Sequence, residues 1–280
     1  MEKSAHIHIS ARHKPFALKL GELWEYRDLV LLFTRRRFAV SYKQTILGPL
    51  WLLINPLLTS LVYMILFGSI ARLSTDGVPQ LLFYFSGHAF WSYFSSCVSR
   101  NATTFTGNAS LFGKVYFPRL VIPVSDLLSG IVLLGIQLIP AALLLIYYCV
   151  RGLVSPRWAY WPLLLPVILL LGLMGLGVGI IISSLTTKYR DLSVLVGFGL
   201  SLWMYASPVV YPLSTVSGRV RSLVLLNPVT APLELLRYAL FGSGSILWGR
   251  LLYALLFTLG VDILGIYIFN RVERTFMDTV

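Results

Sequence analysis

The sequence predicts an all-α integral membrane protein. Six transmembrane helices are expected, with an amphipathic interfacial helix before them, a short helix in one cytoplasmic loop, and short re-entrant helices before the last span. Three observations predict this. Hydrophobic residues make up 57% of the 280-residue chain and charged ones only 12%, where a soluble domain carries about 25% charge; too little polar surface remains to cover a body in water. Apolar runs of membrane length recur along the chain. Finally, Arg35, Arg36, Arg37 and Lys43 stand just before the first such run, which continues from Leu47 to Ala71 without a charged side chain. Cations there hold that end of the helix in the cytoplasm, and later spans follow by alternation. The net charge of +12 therefore reads as topology and contact with anionic headgroups, not as nucleic-acid binding.

Residues 1–18 are polar, and His6, His8 and His13 are too loosely spaced to read as anything but a solvated terminus. The first apolar run starts too late, behind too many charges, for a cleaved signal peptide. Across residues 20–40, Leu20, Leu23, Trp24, Val30, Leu31 and Phe38 share one helical face, opposite Glu22, Glu25, Asp28, Arg35 and Arg36. Arg27 falls on the apolar side and snorkels. Such a helix lies flat in the cytoplasmic interface. The chain divides into a cytoplasmic N-terminal segment (1–47), a six-helix transmembrane domain (48–271) and a cytoplasmic tail (272–280).

The spans are expected near 48–71, 80–99, 120–148, 160–185, 193–210 and 251–269, each close to or above the roughly 20 residues a bilayer core requires. Asn55-Pro56 is expected to kink the first. An even count leaves both termini inside. Of the 23 Lys and Arg, sixteen then fall on inner segments and seven on outer ones, as the positive-inside rule demands. Residues 211–250 are broken by Pro212, Arg219, Arg221 and Asn227-Pro228, with a helical run Leu233–Phe241 closed by Gly242. They read as two re-entrant helices on the outer face, sheltered by protein or a wet cavity. Gly172, Gly175, Gly177 and Gly179 suit close helix packing. Cys97 and Cys149 lie near opposite faces, so no disulfide is expected, and no metal or redox spacing occurs.

Candidate chemistry is sparse. Gly107–Lys114 (GNASLFGK) has one residue too many between its glycines for a phosphate loop, and no Ser or Thr follows; nucleotide hydrolysis is expected of a partner. In the loop 100–119, Asn101, Thr103 and Thr104 are candidate caps, and Leu111, Phe112, Val115, Tyr116 and Phe117 give an apolar surface. That surface either docks in a partner's cleft or packs on the interfacial helix. Lys188-Tyr189-Arg190-Asp191 makes a short charged inner loop. Asp126 and Asp262 fall within spans, where a carboxylate is costly; ion pairing or hydrogen bonding competes with proton coupling as their role. Span two carries Phe83, Tyr84, Phe90, Trp91, Tyr93 and Phe94, read either as interfacial anchors or as a track on which sugar rings slide. His88 lacks a partner for a catalytic cluster.

The stretch Tyr42-Lys43-Gln44-Thr45-Ile46-Leu47-Gly48-Pro49-Leu50-Trp51 with Pro56 resembles the cytoplasmic entrance motif of ABC-2-type permeases, in the polysaccharide and polyol phosphate export branch. Lys114–Arg119 with Ile122-Pro123, Tyr189-Arg190-Asp191, Ser207–Pro212, and Leu226-Asn227-Pro228 with Arg237 follow in that branch's order, so the similarity spans about 24–270. The resemblance implies the fold of ABC-2 (type V) exporters and a subunit without cofactors of its own. Two copies would pair around a path in the bacterial inner membrane, with two ATP-binding subunits beneath that hold ATP and magnesium. A coupling helix over 100–116 would use Asn101, Leu111, Phe112, Lys114 and Tyr116, with Arg190 and Asp191 nearby. The substrate would be a lipid-linked polysaccharide: O-antigen, capsule or teichoic acid. Competing readings are a permease for a drug or small lipid, a proton-coupled carrier using Asp126 and Asp262, and a membrane-embedded transferase.

Overall fold

A computed structural model describes residues 20–42, 47–115, 117–187 and 191–276. The interfacial segment forms two helices, α1 (Leu20–Glu25) and α2 (Arg27–Tyr42). Leu23, Tyr26, Val30 and Phe33, three and four apart, pack against the protein core. Trp24 and Leu31, expected on the same face as Val30, point outward at 70% and 49% exposure. The correction has a cause. The stripe that turns inward also carries Thr34 and Arg37, because it docks on polar groups at the start of a transmembrane helix. Arg27 lies over the Trp24 ring at 5.5 Å, an exposed cation–π contact.

The first span opens with a 3₁₀ turn, Gly48–Leu50, whose Gly48 takes φ +50, and continues as α3 (Trp51–Tyr63). Pro56 does not end this helix. Departure from α-helical geometry comes later, in the π turn Met64–Ile70, where Ala71 N donates to Leu66 O at 2.9 Å.

The next helix, α4 (Gln80–Ala102), is the centre of the fold. It leads through two single turns, α5 (Thr104–Gly107) and α6 (Ala109–Phe112), into the long α7 (Val121–Val150). A 3₁₀ stretch, Trp158–Leu163, runs into α8 (Leu164–Thr186), and α9 (Leu192–Tyr205) follows. Helix α8 is sandwiched between α4 and the last helix, α12 (Trp248–Phe276). The glycines of α8 make this possible. A Cβ on Gly175 would stand 2.7 Å from Cys97 Cβ and 3.0 Å from Phe94 O; on Gly172 it would strike the Tyr93 hydroxyl and on Gly179 the Asn101 side chain. Gly177 faces the other way, against Asp262 of α12. The closeness is of backbones.

Among the described residues, Gly48–Ile70, Val121–Val150, Trp158–Thr186 and Trp248–Val272 are helices long and apolar enough to cross a bilayer. Helix α4 has the length, but Ser86, His88, Ser92, Ser95 and Ser96 interrupt its apolar residues; enclosed by α3, α7, α8 and α9, it needs no lipid-compatible exterior. Helix α9 has 14 residues, about 21 Å at 1.5 Å per residue, short of a core about 30 Å thick. The segment before α12 folds as α10 (Gly218–Leu226) and α11 (Thr230–Phe241), bent by 95° and closed by Gly242 in the left-handed conformation. Asn227 holds the corner: its Oδ1 accepts from Trp203 Nε1 at 3.0 Å and its Nδ2 donates to Ser207 Oγ at 2.7 Å. The expected two short helices are present, joined at a sharp bend.

Candidate functional site

The candidate coupling segment is two turns rather than one helix. Phe105 stacks on Phe269 of α12 with centroids 4.4 Å apart, and its N–H donates to Ser183 Oγ at 3.2 Å. The segment is thereby riveted to the ends of α8 and α12. Phe112 is 5% exposed and sits between Phe105, Phe117 and the Arg119 guanidinium. The expectation that Phe112 offers an outward apolar surface is corrected: the ring belongs to the core. A four-residue turn has too few positions for periodicity to show which side faces in. Leu111 is half-buried beside a cavity of about 590 Å³, also lined by Phe33, Arg36, Arg37 and Lys114. Asn101 is fully buried, its Nδ2 donating to Cys97 O at 2.8 Å and its Oδ1 without a partner. The outward surface consists of Thr103, Thr106, Ser110, Lys114 and Val115. Asp191 is exposed just before α9. Tyr116 and Arg190 lie outside the described residues, as do Lys43 and Gln44 of the entrance motif. Tyr42 ends α2, while Leu47 and Trp51 are exposed on either side of Gly48.

An ion pair joins the interfacial helix to the bundle. Arg37 Nε stands 2.6 Å from Asp126 Oδ1 on α7; the carboxylate is wholly buried and the guanidinium 35% exposed. The contact is one of charge, since neither Asp126 oxygen has an aligned hydrogen bond. Burial lowers the proton affinity of Arg37, the Asp126 charge opposes the lowering, and Arg100 adds to it. Thr34 Oγ1 adds a weak reach to Ser125 O at 3.4 Å. Of the two intramembrane carboxylates, Asp126 thus has the Arg partner that the pairing alternative required. Asp262 Oδ1 is buried against Gly177 with no hydrogen-bond partner.

The six candidate path rings, Phe83, Tyr84, Phe90, Trp91, Tyr93 and Phe94, are all buried, none above 4% exposure. In the single chain they are turned inward, away from the exposed surface. They fill the space around α4, with Phe94 edge-on to Trp203 of α9 at 5.1 Å. Among the described residues no group of three His, Cys, Asp or Glu could hold a metal.

At the end of the bundle away from the coupling turns, Arg237 of α11 is buried and holds three elements together. Its Nη2 donates to Val209 O at 2.8 Å and its Nη1 to Tyr211 O at 3.2 Å; Nη1 also lies 3.4 Å from Glu234 Oε1. Its guanidinium covers the Phe83 ring at 4.1 Å. Glu234 was not among the sequence candidates. The signal was available: an acid and a base three residues apart inside an apolar helical run, where neither charge survives burial unpaired.

These features meet in one family. The sequence profile of the ABC-2 type transporters matches residues 28–241. The chain belongs to that family. This ABC-2 chain is 34% identical over 214 residues to the O-antigen export system permease protein RfbA of Myxococcus xanthus, covering 75% of this chain and 79% of that protein. It is 28% identical over 255 residues to the Klebsiella pneumoniae protein of the same name, covering 90% and 94%. The apolar helices and the family together make it a multi-pass protein of the bacterial inner membrane, with a transport rather than a catalytic part.

Proposed function

We propose that this chain is the transmembrane subunit of an ATP-driven exporter moving a lipid-linked polysaccharide, of the O-antigen, capsule or teichoic acid kind, across the inner membrane. One observation carries this: similarity over most of its length to permeases named for O-antigen export. In this reading the chain crosses six times, with both termini inside, and works as a homodimer above two ABC ATPase subunits that bind and hydrolyse ATP. The ATPases press on the polar outer surface of the segment 103–115 and on Asp191. Because α5 is fixed to α8 and α12 through Ser183 and Phe269, a push there moves two long helices. The buried rings of α4 make each protomer a stiff body, so motion falls between protomers.

Co-expression of the chain and its ATPase in a bacterium that makes but cannot export O-antigen tests this. Surface polysaccharide is expected to return, and to vanish when the ATPase carries a dead nucleotide site. Outward glycolipid movement by the chain alone in liposomes, driven by a proton gradient, would overturn it.

A further inference from the structure

Helix α10 is held near its two ends and nearly bare between them; of its nine residues, Val224 alone is buried. Just ahead of it, Ser214 Oγ donates to Asp76 Oδ1 at 2.7 Å, in the loop that follows the first span. At its far end, Leu226 O accepts from Tyr253 Oη at 3.1 Å. Tyr253 is five residues into α12, about 7.5 Å along that span from Trp248. Trp248 is exposed where the span begins. Helix α10 therefore runs from a loop outside the bilayer down to the level of the second turn of a transmembrane helix.

The side chains are graded along the same line. Arg219, Leu223 and Leu226, at i, i+4 and i+7, form one stripe, with Val220 beside it. The two leucines are 67% and 56% exposed, and Leu252 and Leu256 of α12 continue the bare apolar surface. Arg219 and Arg221 stand exposed at the end nearer the loop. Among the described residues, the acids on this side of the bundle are engaged, Asp76 by Ser214 and Glu234 by Arg237. Cations above a pair of leucines match anionic headgroups above their acyl chains. A second copy seated here about a two-fold axis would gather four guanidinium groups, with no carboxylate on α10 to offset them. Water would leave the leucines uncovered.

We propose that α10 is seated in the membrane–water interface, where Arg219 and Arg221 gather anionic phospholipids whose chains cover Leu223 and Leu226. The placement needs only that α12 crosses the bilayer, so it stands apart from the function proposed above.

Fluorescence quenching in nanodiscs tests the proposal on the full chain, with Cys97→Ala, Cys149→Ala and a bimane label on Leu223→Cys. Where Cys97→Ala does not fold, the native buried thiol is kept and the chain without Leu223→Cys supplies the background. The discs are phosphatidylcholine with a minor fraction of brominated phosphatidylglycerol or brominated phosphatidylcholine. Both brominated lipids are expected to quench the label, the phosphatidylglycerol about fivefold more effectively. Arg219→Gln with Arg221→Gln is expected to bring the two lipids level, and Arg219→Lys with Arg221→Lys to keep the preference. Quenching by aqueous iodide and by neither lipid would place α10 in water; shielding from all three quenchers would place it against protein. Equal quenching by the two lipids in the chain with both arginines would deny those residues their role. Each of these three results overturns the proposal.

Discussion

At the scale of single residues, the two intramembrane carboxylates separate into different kinds. Asp126 is paired, and removing its charge takes away the buried carboxylate that offsets Arg37 beside Arg100. A fully buried pair broken this way costs roughly 3–5 kcal/mol; with Arg37 35% exposed, solvent screens part of the loss, and Asp126→Asn is expected to cost about 1–3 kcal/mol in thermal unfolding. Asp262 has a buried oxygen with no partner, so its charge contributes nothing a neutral amide would lose. Asp262→Asn is therefore expected to keep both export and melting temperature, or to raise the latter. Export abolished in Asp262→Asn with the fold intact would return the proton-coupled reading to contention. From the sequence the two were alike, a carboxylate in an apolar run. What separates them is a partner 89 residues away in the chain, and no local pattern records that distance.

At the scale of elements, spacing was legible where one helix faces two neighbours. The glycines of α8 were read as packing residues, and three of them do face α4 while Gly177 faces α12. Gly175→Ala places a methyl 2.7 Å from Cys97 Cβ and 3.0 Å from backbone Phe94 O. Its helix-propensity gain of about 0.5–1 kcal/mol is smaller than the overpacking cost of about 1–3 kcal/mol, so a lower melting temperature is expected. Gly260→Ala on α12, with nothing within 4 Å, should be neutral or stabilising. Equal effects at the two sites would refute the packing role. The α4 aromatics and the coupling turns were legible as present and not as placed. A dense row of rings in a span suits an open track or a sealed core equally, and only the packing shows that α7, α8 and α9 enclose it within the single chain. For the same reason a coupling test on Phe112 would report folding. Ser110→Arg with Lys114→Glu alters only exposed positions, and is expected to lower ATPase-driven export several-fold while membrane levels of the protein hold. Undiminished export would remove this surface from the proposed contact.

At the scale of the whole molecule, the exposed apolar surface has to be divided between lipid and the second copy proposed above. Exposure alone cannot divide it, because both are apolar neighbours. Polar side chains can. The outward faces of α7 and α12 present Ile139, Leu143 and Ile146, and Leu252, Leu256 and Leu259, with no charged or amide side chain among them, as lipid requires. Helices α3 and α9 differ: Asn55 and Ser201 are exposed amid Leu58, Val62, Phe198 and Leu202. Tyr63 Oη donates to Met204 Sδ at 3.4 Å, so the two helices meet at their ends. An amide facing hydrocarbon costs several kcal/mol, roughly, and is relieved by a partner helix or a wet path. In the proposed dimer the second copy and the path are therefore expected on α3 and α9. With Cys97 and Cys149 replaced by serine or alanine, Leu58→Cys and Phe198→Cys are expected to form disulfide-linked dimers in membranes under mild oxidation. Leu143→Cys and Leu256→Cys, equally exposed, are not. Cross-linking at Leu143 or Leu256 and none at Leu58 or Phe198 would move the second copy to the other side of the bundle, leaving Asn55 in lipid without an explanation.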